Sequence, residues 1–549
     1  MYADGGNDRH FTDYMADAAW RVYLVDGDAT SGTQYLEQMK DLYNQWSDHY
    51  DSTKRLYWIE PLLDATEYTI SSIDASGGND GFTGGEAFRP SINSYQYANA
   101  RAIAQIATLA GQSQGVVHDY TSRADDIKNR TQNDLWNSSL LHFIDRYEVD
   151  NEYVKYWEPI RGRELVGLVP WMFDLVDDGP EYASAWKHIL RSDELAGPKG
   201  LRTVEPTYEY YMRQYRYEGT RRECQWNGPV WPFQTTQVLN ALANLLDHYT
   251  QDVISRGDFL RLLRQYTQLH YQGDVLNLEE DYDPTNGAPI VGLARSPHYF
   301  HSGYIDIVMT GLVGIRPRAD DFLEINPLLP SSNDSQALSW FRAEAIPYHG
   351  SDIAIQWDVD GTYFGQGVGL RVERDGHLIA ESAKLDRLII PYARKDVAPI
   401  DRPLAKSIQL QTNTSFPFGN ASSGTEVENV HDAIDGRVWF FTELPNGWST
   451  DANSSSKQWY TISFGAATEF SRAELAFFSD GTTFEVPVDY KIETLVNVTW
   501  TSVETIVAKA PLANGITHAS WPNLTADQVR LYFTQAQDRR TRLVEFKLF

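Results

Sequence analysis

Apolar side chains recur at three-to-four-residue spacing through roughly the first 315 positions of the chain and at two-residue spacing after that, and the change of period divides the molecule. The helical period predicts helices around Asp13–Leu24, Gly32–Trp46, Ser94–Ala110, Val117–Leu135, Glu164–Leu175, Glu181–Leu190, Thr235–Leu246, Phe259–His270 and Ser302–Val313. Long loops rich in Gly, Pro and aromatic residues separate them, and functional side chains tend to collect on loops of this kind. One loop is unusual. In ECQWNGPVWPFQTTQVLNAL, Trp226 and Trp231 bracket an Asn-Gly-Pro turn immediately before an amphipathic helix.

Beyond about Asp320, the runs SDIAIQWDVDGTYF, GVGLRVERDGHLIAE and KLDRLIIPY alternate apolar with polar residues. Turn signals at Asp360-Gly361 and Asp375-Gly376 separate them, which predicts a small antiparallel β-domain. The Pro/Asp-rich stretch APIDRPLAK then leads into short strands such as WYTISFG, VPVDYKIETL and QVRLYFTQ, and the chain closes on the alternating LVEFKLF. The expected division is a helical domain over 1–318, a small β-domain over 319–404 and a β-sandwich over 405–549.

At 549 residues the chain is long enough for two or three domains, each with its own core. Its 47 basic and 75 acidic side chains leave a net charge of −28 with no basic block, which argues against nucleic acid and anionic membranes as partners. No window of eighteen apolar residues occurs, so no membrane insertion is expected. The single cysteine, Cys224, excludes an internal disulfide and a cysteine metal cluster. Sequons at Asn129, Asn137, Asn333, Asn413, Asn420, Asn453, Asn497 and Asn523 point weakly to a secreted glycoprotein, although the first residues, MYADGGNDRHF, have no signal-peptide core.

Aromatic residues make up 13% of the chain, including 16 Trp and 32 Tyr. Flat rings stack on the apolar face of a pyranose, so this content suits sugar binding as well as a large core. Phosphate-loop, dinucleotide, paired-histidine and nucleophile-elbow motifs are absent, which leaves carboxylates set among aromatics. One acidic cluster is Glu60, Asp64, Glu67 and Glu86; the other is Glu279, Glu280, Asp281 and Asp283. Two carboxyl groups facing each other serve glycosidic cleavage, one protonating the leaving oxygen and the other activating water.

GGEAFRPSINSYQYANARAIAQIA, RELVGLVPWMF, CQWNGPVWPFQTTQVLNAL, EEDYDP and SPHYFHSGYIDIVMTGLVGIRPRADDFLEINPLLP resemble the six-hairpin, (α/α)6-toroid glycoside hydrolases, the group with mannosylglycerate-hydrolase-like or processing-α-glucosidase-like catalytic domains. The resemblance spans roughly residues 10–330. It implies an exo-acting, inverting hydrolase, with Glu67 as general acid and Glu280 as general base, and the acidic net charge suits a neutral glycan as substrate; Asp64 and Glu279 stand as rivals for the two roles. Inversion calls for carboxyl groups about 6.5–9.5 Å apart. Asp281 stands where the family pattern has Asn and is expected to add a charge beside the base. Trp226, Asn227 and Trp231 would line the sugar pocket, with Arg89, Asn93, Tyr95 and His298 as further substrate-binding candidates. No cofactor is implied.

The segments DAIDGRVWFFTELPNGWSTDANSSSKQWYTISFG and QVRLYFTQAQDRRTRLVEFKLF resemble a discoidin-type, galactose-binding-like jelly-roll sandwich, a class that leaves room for a structural calcium. Trp448 and Trp459 are expected in its core. The nine helices read from the pattern fall short of the twelve of a closed (α/α)6 barrel, and the chain opens directly in helix; either further helices lie within the loops or the chain lacks its beginning. The rival readings are a phosphorylase on the same scaffold and a non-catalytic carbohydrate-binding protein with an incomplete barrel.

Overall fold

Helix α5 (Pro90–Leu109) has almost no solvent-facing side: only Arg101, Gln105, Thr108 and Leu109 escape burial. Pro90 at its first position supplies a preset φ where no N–H partner is needed, and the alanines at 98, 100, 102, 104 and 107 let neighbours approach closely. The computed structural model describes residues 10–273, 275–293, 296, 299, 303–331, 334, 336–395, 404–410, 415–424, 430–442, 445–452, 454–505 and 507–549. The chain divides into two compact units, 9–397 and a second that runs from 398 to 549.

In the first unit, α1 (Met15–Asp26), α2 (Ala29–Thr33), α3 (Leu36–Asn44), α6 (Gln114–Arg130) and a 3-10 segment, Leu165–Phe173, surround α5. The 3-10 segment packs in turn on α8 (Pro232–His248). Further helical pieces are α4 (Ile70–Ala75), α7 (Pro180–Ala183), α9 (Arg256–Leu269) and α10 (Tyr304–Ile307). Buried polar groups on α5 tie the ring of helices to it. Asn99 accepts from the backbone N–H of Ala16 at 3.1 Å, capping α1, whose own N-cap residue Tyr14 offers no side-chain bond.

Most of the expected helices form; Glu181–Leu190 is a short helix, Pro180–Ala183, continued as 3-10 over Ser184–Leu190, and Ser302–Val313 shortens to Tyr304–Ile307 with a π-turn over Val308–Leu312. Glu164–Leu175 is tightened to 3-10 geometry, and Pro170, inside it, has no N–H to donate. Gly32–Trp46 breaks at Gln34–Tyr35 into α2 and α3. The end of Val117–Leu135 widens to a π-turn over Thr131–Leu135. Helix α4, inside the acidic loop, was not anticipated; its signal was a capping box between Thr69 and Ser72.

The small β-domain of this unit is a four-stranded antiparallel sheet of 340–348, 351–358, 369–374 and 377–382, beside a three-stranded sheet of 315–316, 322–325 and 388–391. Asp375 and Gly376, both at positive φ, turn the hairpin that the Asp-Gly pair predicted. Its core of Leu323, Ile325, Ile353, Ile355, Trp357, Leu370 and Val372 includes Leu260 of α9, so it is continuous with the helical part.

The unit 398–549 is all-β, an eight-stranded antiparallel sheet built on two long strands, Lys457–Phe478 and Gly515–Thr534. Bulges at Ser463/Thr468 and Phe470/Arg472 bend this pair, so one strand pair serves both halves of the core. Trp448 is fully enclosed with Tyr460, Phe533 and Phe546, as expected, whereas Trp459 is only half-buried.

Candidate active site

Residues 224–231 join the two acidic loops. At one end, the Trp226 N–H donates to the Glu67 carbonyl at 3.2 Å; at the other, Val230 and Tyr282 exchange backbone bonds of 2.8 and 3.0 Å. The Asn-Gly-Pro turn makes this path possible. Gly228 sits at φ +142°, and a Cβ there would lie 2.6 Å from the Tyr211 ring. Helix α8 starts immediately afterwards at Pro232.

Glu67 and Glu280 meet at this segment. The Cys224 thiol donates to Glu67 Oε1 at 3.2 Å. Burial pushes that thiol far above its ordinary pKa, and the nearby charges of Glu67, Glu280 and Asp281 push the same way. The Tyr299 hydroxyl is raised too, first by burial and then by Glu280, Cys224, Glu67 and Asp281. The backbone segments that carry Glu67 and Glu280 are bonded to the two ends of the same 224–231 stretch. Ser296 donates to Glu280 Oε2 at 3.2 Å. Both glutamates are partly exposed, as a group that must reach a substrate has to be.

The rival carboxylates sit elsewhere. Asp64 is enclosed: Oδ1 accepts from Thr12 at 2.7 Å, Oδ2 accepts from Ser91 at 2.5 Å, and the Arg89 guanidinium lies 3.5 Å away. Glu279 is buried beside Tyr282, whose hydroxyl accepts from the Glu279 N–H at 2.8 Å. Asp281 is fully buried; its Oδ1 accepts from the Val291 N–H at 3.2 Å and its Oδ2 has no partner. Burial first, then the charge of Glu280, pushes its pKa well above the carboxylate range. In place of the added charge expected beside the base, the site holds a carboxyl driven toward its neutral form, which is chemically close to the Asn of the family pattern.

Several expected sugar-binding residues have other work. Asn227 is wholly buried, with its amide donating to the Tyr210 and Arg213 carbonyls at 2.8 and 2.9 Å and accepting from Gln225 at 2.7 Å. That leaves nothing for a hydroxyl. Trp226 and Trp231 stack on each other, centroids 4.0 Å apart and planes 8° apart, and each is 3% exposed. They pack the loop instead of forming an open platform; Phe233, edge-on to Trp226, is the ring that reaches solvent. Arg89 is buried among Asp64, Asp145 and Glu164, the second at 2.8 Å and the others at 3.5 Å. Asn93 bonds both backbone groups of Tyr57 and the Arg89 carbonyl. Tyr95 is buried against Tyr14 and Phe173, its hydroxyl taking a bond from Gln237 at 2.7 Å. His298 lies outside the described residues. Sequence reasoning passed over Cys224, Ser296 and Tyr299; the one available signal was that Cys224 and Tyr299 stand inside the two aromatic segments already singled out.

With this geometry in view, comparison with known proteins is decisive for the family. Residues 3–302 match the mannosylglycerate hydrolase MGH1-like glycoside hydrolase domain. The chain belongs to that family. This glycoside hydrolase also matches the F5/8 type C domain over residues 414–546. Among solved structures, a sialidase is 32% identical with a TM-score of 0.62 over 69% of this chain and 33% of that one, so the chain spans a third of that protein's length. The GH63 mannosylglycerate hydrolase from Thermus thermophilus in complex with glucose is 14% identical, TM-score 0.38, over 54% of this chain and 74% of that one. The family 32 CBM from C. perfringens NanJ in complex with galactose is 17% identical, TM-score 0.20, over 24% of this chain and 90% of that one. The helical part is accordingly a toroid-type glycoside hydrolase domain, followed by an all-β discoidin domain.

Proposed function

We propose that this glycoside hydrolase removes a terminal sugar from a neutral glycan in a single inverting displacement, with Glu67 as general acid and Glu280 as general base. The carrying observation is that one stretch, 224–231, is bonded at one end to Glu67 and at the other to Tyr282, two residues beyond Glu280. In this reading protonated Glu67 gives its proton to the glycosidic oxygen as the bond to the anomeric carbon breaks. Glu280 takes a proton from water, whose oxygen attacks that carbon from the opposite face. The Ser296 hydroxyl orients Glu280, and Tyr299 lines the sugar. A net charge of −28 opposes polyanionic substrates.

Hydrolysis of a panel of aryl glycosides and oligosaccharides, with proton NMR of the first-formed anomer, tests this. Glu67→Gln and Glu280→Gln should each lower kcat by about a hundredfold or more with folding intact, because the amide keeps the size and loses the proton transfer. A product that retains its configuration would overturn the inverting assignment. A sialylated substrate is the second reading, favoured only by the sialidase relative; cleavage confined to sialosides in the same panel would select it.

For the F5/8 type C domain we propose a structural calcium. Glu545 is 1% exposed, its Oε2 accepts from the Gly436 N–H at 3.1 Å and its Oε1 has no partner. Burial, then the neighbouring Asp435, pushes its pKa up to about 9. Glu545 Oε1 would supply one oxygen to such a cation and Asp435, which also pairs with Arg437 at 3.5 Å, a second, with carbonyls or water completing the shell. Among the described residues no set of three His, Cys, Asp or Glu side chains gathers as a metal site. Calcium should raise the melting temperature of the EDTA-treated protein and leave Glu545→Gln unmoved; an unchanged wild type would sink the proposal.

A further inference from the structure

The one cysteine of the chain lies against the carboxyl group to which we assign proton donation, and nothing in the two-carboxylate scheme calls for it. Its Sγ is 3.2 Å from Glu67 Oε1, and two residues on, the Trp226 N–H holds the Glu67 carbonyl at 3.2 Å. Segment 224–226 therefore grips Glu67 at both its backbone and its side chain. The thiol is partly exposed, and burial first, then the neighbouring Glu67 and Glu280, oppose its ionisation. A thiol held protonated among carboxylates is a donor and not a nucleophile.

We propose that Cys224 is a positioning residue for Glu67: its S–H donates to Oε1 and fixes the orientation from which the carboxyl gives its proton to the leaving group. The inference rests on the assignment of Glu67 as general acid. Before proton transfer the thiol donates to a neutral carboxyl; afterwards it donates to a carboxylate, and hydrogen bonds to charged acceptors are the stronger ones. The contact therefore strengthens along the reaction coordinate, which lowers the barrier without tightening substrate binding. A donor that favours the charged carboxylate also lets Glu67 ionise at lower pH, setting the alkaline limb of the rate profile.

Cys224→Ala and Cys224→Ser, with Glu67→Gln alongside, are assayed on the full chain across pH with the best glycoside of the panel. Cys224→Ala should lower kcat about tenfold with KM unchanged, less than the hundredfold or more for a strong oxyanion donor because a thiol donates weakly. Its alkaline limb should move to higher pH. Cys224→Ser, keeping a donor at the same place, should restore kcat to within about threefold and return the limb to the wild-type pH or below it. An Ala variant with wild-type kcat and limb overturns the proposal. So does a loss that Ser fails to restore while the limb stays put, since that is the signature of packing alone. Should Cys224→Ala fail to fold, the limb and kcat of Cys224→Ser decide by the same criteria. Full activity of Glu67→Gln would instead remove the acid assignment beneath the proposal; an inactive Glu67→Gln beside an unaffected Cys224→Ala removes the proposal alone.

Discussion

Asp64 and Glu67 are three positions apart in one acidic loop, and the fold sends them to opposite environments. Asp64 goes inward to a dry knot with Asp145 and Glu164 around Arg89, where Thr12 and Ser91 occupy its oxygens. Glu67 stays partly exposed, its side chain held by the Cys224 thiol and its carbonyl by the Trp226 N–H. Charge and spacing are nearly the same in the two groups; the difference lies in what saturates them. A carboxylate whose acceptors are all taken, and whose partners are buried, stabilises the fold, whereas one left within reach of solvent can move a proton.

The largest way to test that contrast is Arg89→Leu. It would strand three buried carboxyl groups around one lost cation, and removing one partner of a buried pair costs about 3–5 kcal/mol. The variant should unfold at much lower urea concentration or not accumulate at all. Glu67→Gln should move stability by less than about 1 kcal/mol, as an exposed-site substitution does. An Arg89→Leu protein of normal stability that fails only in catalysis would return Arg89 to the substrate-binding role.

Asp145→Asn sharpens the same contrast. The Asp145 carboxyl lies 2.8 Å from Arg89, yet its Oδ1 has no partner and burial pushes its pKa well above the ordinary value. A carboxyl whose folded pKa exceeds its unfolded value contributes stability that is complete below the unfolded value, about 3.9, and lost as pH rises through the folded one. Denaturation followed from pH 5 to 9 should show wild type losing ground to Asp145→Asn as pH rises. A constant gap across that range would mean that the knot does not titrate.

Asn227→Ala separates brace from binder on the catalytic side. It takes the side-chain donor from the part-buried Tyr210 carbonyl, while the Gln225 amide and the Arg213 carbonyl keep their bond to each other at 2.7 Å, for a cost of about 1 kcal/mol. KM for a small aryl glycoside should change less than stability does. A large KM effect in a fully stable variant would restore the sugar-binding role.

The sequence pattern carried much of the architecture because period, caps and turns are local signals. The helix begun by Pro90, the Asp375-Gly376 hairpin and the alternating strands near the end were all legible for that reason. Glu67 and Glu280 were legible as members of acidic segments; the structure leaves both partly exposed and buries Asp64 and Glu279. Arg89, Asn93 and Asn227 were misread, since a polar residue in an aromatic-rich loop looks the same whether it binds a sugar or the chain's own backbone. What decides is long-range: the Arg89 partners Asp145 and Glu164 lie 56 and 75 positions away. Cys224 was invisible as a partner of Glu67 for the same reason, with 157 positions between them.

The smallest expected effect lies at the opposite end of α8 from the site, where the helix meets the small β-domain. His248, in the last turn, has Nδ1 2.8 Å from Asp174 and Nε2 3.1 Å from Asp247, and Asp247 also receives Arg316 at 3.1 Å. The hydrogen bonds to Asp174 and Asp247 raise its pKa to about 9, and a cation there also suits the helix C-terminus. Because the folded pKa exceeds the ordinary value of about 6.5, its contribution is complete below about 6.5 and fades as pH climbs through about 9. Solvent weakens the pairing, since the ring is 42% exposed. His248→Gln should therefore be modestly less stable than wild type at pH 6 and equal to it by pH 10, with kcat unchanged. A stability gap that persists at pH 10 would assign the side chain to packing.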